Sequence, residues 1–136
     1  MESSPESTIT QTFNPFVPTG APWGMGATGL IYEPLIQFNL AAPPKYTPWL
    51  ATSYQWSNGG KTLTFAIRQG VKWTDGQPFT PDDVVFTFNM LKNDAAVNLN
   101  GVKYGGISVS GNNVVLTFAT PQFTNLQSIA GTGMVP

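Results

Sequence analysis

Residues 70–91 read GVKWTDGQPFTPDDVVFTFNML, and the fold turns on what the adjacent acids Asp82 and Asp83 do there. A carboxylate pair suggests acid–base chemistry or a metal site. The neighbouring residues suggest a helix start. Thr80 is an N-cap residue whose hydroxyl can accept from the amide at Asp83, and Pro81 takes the first helical position, where its missing donor is harmless. Asp83 lies three residues after Thr80 and can reach back to its amide, as in a capping box with Asp in place of Glu. Phe79 and Val84 take the staple positions around the cap. Val84, Phe88 and Leu91 then follow at helical spacing. Both carboxylates fall in the first turn, where the helix dipole favours negative charge. The sequence therefore predicts structural acids, with Thr80→Ala costing more stability than Asp82→Asn or Asp83→Asn.

Working outward, residues 62–68 alternate. Leu63, Phe65 and Ile67 face one way and Thr62, Thr64, Ala66 and Arg68 the other, as in a half-buried strand. Asn58-Gly59-Gly60 before it and Asp75-Gly76 after it are turn signals. Residues 49–56 predict a short strand with Leu50 and Tyr54 buried. Residues 35–39 predict another strand, reached from a short helix ending near Tyr32 and followed by a connector at 41–44. Residues 8–13 alternate and predict a strand, broken by Asn14-Pro15. On the C-terminal side, Ile107 and Val109, a turn at 111–113, and Val114, Leu116 and Phe118 predict a hairpin. Thr120-Pro121 predicts a further helix start, with Phe123, Leu126 and Ile129 inward and Gly131 as the stop.

Composition limits the chemistry. The chain has 136 residues, no Cys and no His, a net charge of −1, and only 10% charged residues, against about 25% in typical soluble domains. These absences exclude thiolate zinc sites, thiol nucleophiles and an ordinary Ser-His-Asp triad. The charge balance offers nothing to nucleic acid. No apolar run is long enough to span a bilayer, and Met1-Glu2-Ser3-Ser4 lacks the pattern of a secretory leader. The segment GMGATG at residues 24–29 lacks the Lys-Ser/Thr of a phosphate loop. Glu33, Asp75, Asp82 and Asp83 are the acids from which a glycosidase pair would be drawn, although Asp75 is a turn residue and Glu33 precedes a proline. The four Trp residues, nine Phe and four Tyr are a generous supply for so small a core. Trp23, Trp49, Trp56 and Trp73, with Phe16, Tyr32 and Tyr46, suit stacking on sugars or apolar groups.

Three stretches carry a family resemblance: YEPLIQFN (32–39), PWLATSYQW (48–56) and KTLTFAIRQGVKWTDGQPFTPDDVVFTFNML (61–91). The last resembles the signature of family 5 solute-binding proteins of bacterial ABC importers, which take up peptides, nickel and oligosaccharides. The resemblance extends over roughly residues 13–136. It implies an α+β fold, a small mixed sheet with hairpins and two or three helices, cut from a two-lobe periplasmic-binding-protein fold. Residues 1–46 would be the first, incomplete segment of lobe I, and residues 47–136 an extra inserted α+β domain. Family members are several times longer, so the chain is expected to be an N-terminal piece whose strand at 35–39 lacks its partners. The resemblance further implies an extracytoplasmic protein, in the periplasm or lipid-anchored, binding without catalysis, metal or cofactor. Its partners would be a small-molecule ligand (an oligosaccharide or oligopeptide), an ABC permease and the remaining lobes. The segment after the first strand approaches the ligand in this family, which implies Asn14, Phe16, Trp23, Gly24 and Met25 as ligand-binding residues. A free-standing scaffold domain is the alternative reading, and a small glycosidase ranks last.

Overall fold

The computed structural model describes residues 15–16, 31–39, 41 and 45–136. The expected strand at 8–13 and nearly all of the short helix ending near Tyr32 lie outside these residues. Two antiparallel sheets form. Strand β1 (Ile36–Asn39) pairs with β2 (Lys45–Pro48). Strands β3 (Ala51–Ser57), β4 (Thr62–Ile67), β5 (Ile107–Ser110) and β6 (Asn113–Thr117) form a sheet in the order β3-β4-β6-β5. The helices are α1 (Pro81–Asn93) and α2 (Leu126–Ala130), with 3-10 turns at Asn58–Gly60 and Phe123–Asn125.

The alternation of β4 sets the core. Leu63, Phe65 and Ile67 are buried at the centre of the sheet. Cross-strand partners continue that face: Leu63 opposes Trp56 and Leu116, and Phe65 opposes Tyr54 and Val114. Helix α1 packs on β5 and β6 and buries Val84, Thr87, Phe88 and Leu91, the expected stripe plus one hydroxyl. The Thr87 hydroxyl lies 3.0 Å from the Asp83 carbonyl and accepts from the Val135 amide at 3.2 Å, so α1 holds the C-terminal segment. The opposite face of the sheet carries Ser53, Gln55, Ser57, Thr62, Thr64 and Thr117, all exposed or half-buried.

The paired acids separate in role. The capping box forms at Thr80 and Asp83. Asp83 Oδ2 accepts from the Thr80 amide at 2.7 Å and lies 3.2 Å from the Thr80 hydroxyl. The same oxygen also accepts from the Trp73 indole N–H at 3.3 Å. Trp73 is in turn held edge-on against Phe79, with ring centroids 5.5 Å apart. It sits in a tight loop whose Gly76 N–H reaches the Trp73 carbonyl at 2.9 Å, with Gly76 at φ 87°, a left-handed value that suits glycine. Asp82 is exposed and makes no such contacts. The expected ranking of substitutions therefore changes, because Asp83 links two separated segments.

Other expectations need correction. The strand at 35–39 does not lack a partner: β2, which its four exposed residues hid from the sequence pattern, pairs with β1. Leu35 and Ile36 are buried in the common core. The Leu35 carbonyl accepts from Trp49 and Ala51, and the Met134 amide donates to the Glu33 carbonyl at 3.0 Å. Residues 33–36 thus lie between two other segments of the chain. The C-terminal helix does not start at Thr120-Pro121. The Gln122 amide donates to the Gly60 carbonyl at 2.9 Å, which ties this segment to the sheet and delays the helix to a 3-10 turn at Phe123. Phe123 itself is 54% exposed rather than inward, its ring 5.2 Å from that of Trp56. Ile129 is buried as expected, Leu126 is half-buried, and Gly131 closes the helix. Tyr54 is half-buried rather than buried, and Val109 is 41% exposed near the free edge of the sheet.

Asp83→Asn should destabilise the chain by about 1–3 kcal/mol, since bonds to a charged acceptor are lost from a part-buried site. Thr80→Ala should cost about 1 kcal/mol, and Asp82→Asn less than about 0.5 kcal/mol. Urea unfolding of the three variants checks the order; equal losses for Asp82→Asn and Asp83→Asn would remove the link to Trp73.

Candidate functional site

The residues nominated from the sequence fare unevenly. Asn14, Trp23, Gly24 and Met25 lie outside the described residues, as does GMGATG. Phe16 is described: it is 9% exposed and stands at the wall of a cleft. That cleft has a volume of about 540 Å³ and opens to solvent. It forms where the stretch from Tyr32 through β1 meets the turn after α1 (residues 97–100) and the α2 segment (residues 127–133). Chain closure creates it: the bridge of Pro34 to Gly133 brings residues nearly a hundred positions apart side by side.

The chemistry of the cleft is uniform. Phe16, Tyr32, Ile36, Phe38 and Leu91 supply apolar surface, and Gln37, Asn98, Asn100, Gln127, Ser128 and Thr132 supply amides and hydroxyls. No Asp, Glu, Lys or Arg lines it among the described residues. Some polar groups are already committed. The Asn98 side-chain amide donates to the Val102 carbonyl at 2.8 Å, which shapes the turn, and the Thr132 hydroxyl donates to the Ser128 carbonyl at 2.9 Å. The side chains of Gln37, Gln127 and Ser128 make no hydrogen bond to the protein.

Tyr104, which sequence reasoning passed over, reaches the cleft from the core. Its ring packs between Phe88 and Phe118, with centroids 5.4 and 5.9 Å away. The residue is only 8% exposed, yet its hydroxyl has no protein partner. The hydroxyl is not sealed off either, since no buried polar side-chain atom among the described residues lacks a partner. Burial pushes the phenol well above its ordinary value of 10.0. No sequence pattern marks this: Tyr104 stands in an unstructured stretch before two glycines, and only tertiary packing gives it its surroundings.

The other candidates resolve into structure. Trp73 is occupied by Asp83 and Phe79, and Trp56 by Phe118 and Phe123. Tyr46 is 53% exposed and packs edge-on against Phe38; Trp49 is 39% exposed. Asp75 accepts from the Gln77 amide at 2.9 Å in its own turn. No group of three or more acids, His or Cys capable of holding a metal exists among the described residues.

The comparisons with known proteins agree with one another. The family model described as bacterial extracellular solute-binding proteins, family 5, middle, matches residues 45–136. The dipeptide-binding protein of Escherichia coli is 37% identical over 98 residues, which is 68% of this chain and 17% of that protein. The peptidoglycan-binding protein YepA of Agrobacterium fabrum is 36% identical over 87 residues, 60% of this chain and 14% of its own. Among solved structures, a periplasmic oligopeptide-binding protein of an ABC transporter from Thermotoga maritima, crystallised with mannohexaose bound, matches with a TM-score of 0.77. It is 32% identical, over 92% of this chain and 23% of that one. The chain thus spans less than a quarter of the length of these relatives.

Because the unfolded Tyr104 phenol ionises near pH 10 and the folded one only above that, the folded state keeps a proton that the unfolded state gives up. The contribution to stability is therefore constant below about pH 10 and falls as pH rises beyond it, by at most about 1.4 kcal/mol per pH unit. Tyr104→Phe should match the parent chain in urea unfolding at pH 7 and lose less stability than it between pH 9 and 11. Parallel curves for the two proteins would contradict this.

Proposed function

Because the chain belongs to family 5 of the bacterial extracellular solute-binding proteins, we propose that it forms part of the ligand-holding surface of the extracytoplasmic receptor of an ABC importer. That receptor captures an oligosaccharide or an oligopeptide, in the periplasm or at the cell surface, and delivers it to a permease without chemical change. The observation that carries this reading is the open cleft of about 540 Å³ with an aromatic and amide lining and with Phe16 at its wall. Pockets for small ligands are of this size and character. The relatives support it by what they are named for: one binds dipeptides, one peptidoglycan, and one was crystallised with mannohexaose. Asn14, Trp23, Gly24 and Met25 would join Phe16 in the same surface. Residues 1–46 would be the first pass through lobe I and residues 47–136 an inserted domain. A second lobe, supplied by a longer protein, would close over the ligand.

Closure between lobes is what buries most of a ligand in such a receptor. One open face offers an aromatic contact and a few hydrogen bonds, each worth about 0.5–1.5 kcal/mol, whereas a dissociation constant of 1 mM already requires about 4 kcal/mol. Calorimetry on the product of the full reading frame should therefore find micromolar binding of a cello-, xylo- or manno-oligosaccharide or of a tetrapeptide. The 136-residue chain should bind the same ligand no tighter than the millimolar range. Failure of the full product to bind any of these would overturn the receptor reading, and micromolar binding by the short chain would place the whole site within it.

A further inference from the structure

We infer that Tyr104 is the hydrogen-bonding anchor of the cleft and that the cleft selects an uncharged, polyhydroxylated chain, an oligosaccharide, over a peptide with charged termini. The inference rests on the solute-binding reading above and narrows its ligand. Two independent observations carry it. The first is the lining: apolar rings and side-chain amides and hydroxyls, with no ionised group among the described residues. A free peptide brings an ammonium and a carboxylate, and the lining offers neither of them a counter-charge. Sugar hydroxyls, which both donate and accept, suit the unbonded side chains of Gln37, Gln127 and Ser128.

The second observation is Tyr104 itself. Its ring is fixed by Phe88 on one side and Phe118 on the other, so the hydroxyl is held in place before any ligand arrives. The residue as a whole is 8% exposed and lines the cleft, and its hydroxyl has no partner in the protein yet is not sealed off. The hydroxyl bonds to no protein group and still reaches solvent, so it is close to neutral for folding. The fold gains nothing from the oxygen; a ligand would. The phenol is protonated, hence a donor, throughout the physiological range, and burial moves its ionisation further from it.

The test is an amide NMR titration of the 136-residue chain and of Tyr104→Phe, each with mannohexaose and with tetra-alanine at up to about 20 mM, with neutral-pH unfolding as the control for folding. The expected result is that mannohexaose shifts the amides of Asn98, Asn100, Gln127 and Ser128. Its affinity should fall about three- to tenfold in Tyr104→Phe, the effect of one hydrogen bond, with stability unchanged, and tetra-alanine should produce smaller shifts. Equal mannohexaose affinity in both proteins would overturn the role of Tyr104. Tetra-alanine shifting these amides at least as strongly would overturn the selection for uncharged chains while leaving solute binding intact. Silence of the cleft with both probes would overturn the inference, and the calorimetry on the full product then decides the receptor reading separately.

Discussion

A single carboxylate oxygen organises the central part of this chain. Asp83 Oδ2 takes the amide that begins α1 and the indole of Trp73 at once. The first bond fixes where the helix starts; the second fixes the loop that leads from β4 to it. Because α1 rests on β5 and β6 through Val84, Phe88 and Leu91, the direction in which the helix leaves its cap decides whether those side chains meet the sheet. Gly76 and Asp75 close the loop, and Phe79 wedges the Trp73 ring. A motif that reads as chemistry is therefore a joint, in which acid, hydroxyl, indole and glycine each have a geometric duty.

What could be read from the sequence was what depends on neighbours along the chain. The alternation of β4, the capping of α1 and the hairpin turn at 111–113 rest on rules that act within a few residues, and the structure follows them. The misses share a cause. Strand β2 has no buried residue to betray it and exists because β1 lies beside it. Phe123 obeys helical spacing but sits where Gln122 is tied to Gly60. Trp73 counted as a spare aromatic until its partner ten residues away was visible. The site was the least legible part: of its proposed residues only Phe16 is described, and the cleft beside it exists only because the C-terminal segment returns to residues 33–37.

That return ties the N-terminal described residues and the C-terminal segment into one core. Residues 33–36 are hydrogen-bonded to residues 49–51 on one side and to Met134 on the other, and Leu35, Leu63, Phe88, Ile129 and Met134 share a core. Thr87 adds a buried hydroxyl link from α1 to Val135. The cleft therefore stands on three segments that cannot shift independently, a sound basis for a surface meant to present its side chains in fixed positions.

The rings of Phe88, Tyr104, Phe118, Trp56 and Phe123 follow one another at centroid distances of 5.4, 5.9, 6.2 and 5.2 Å. The row runs from Tyr104, which lines the cleft, to Trp56 on the edge strand β3. Tyrosine emission overlaps indole absorption, so light energy taken up by Tyr104 passes to Trp56 two rings away. The packing that holds the fold thus also couples the phenol at the cleft to an indole on the edge strand β3.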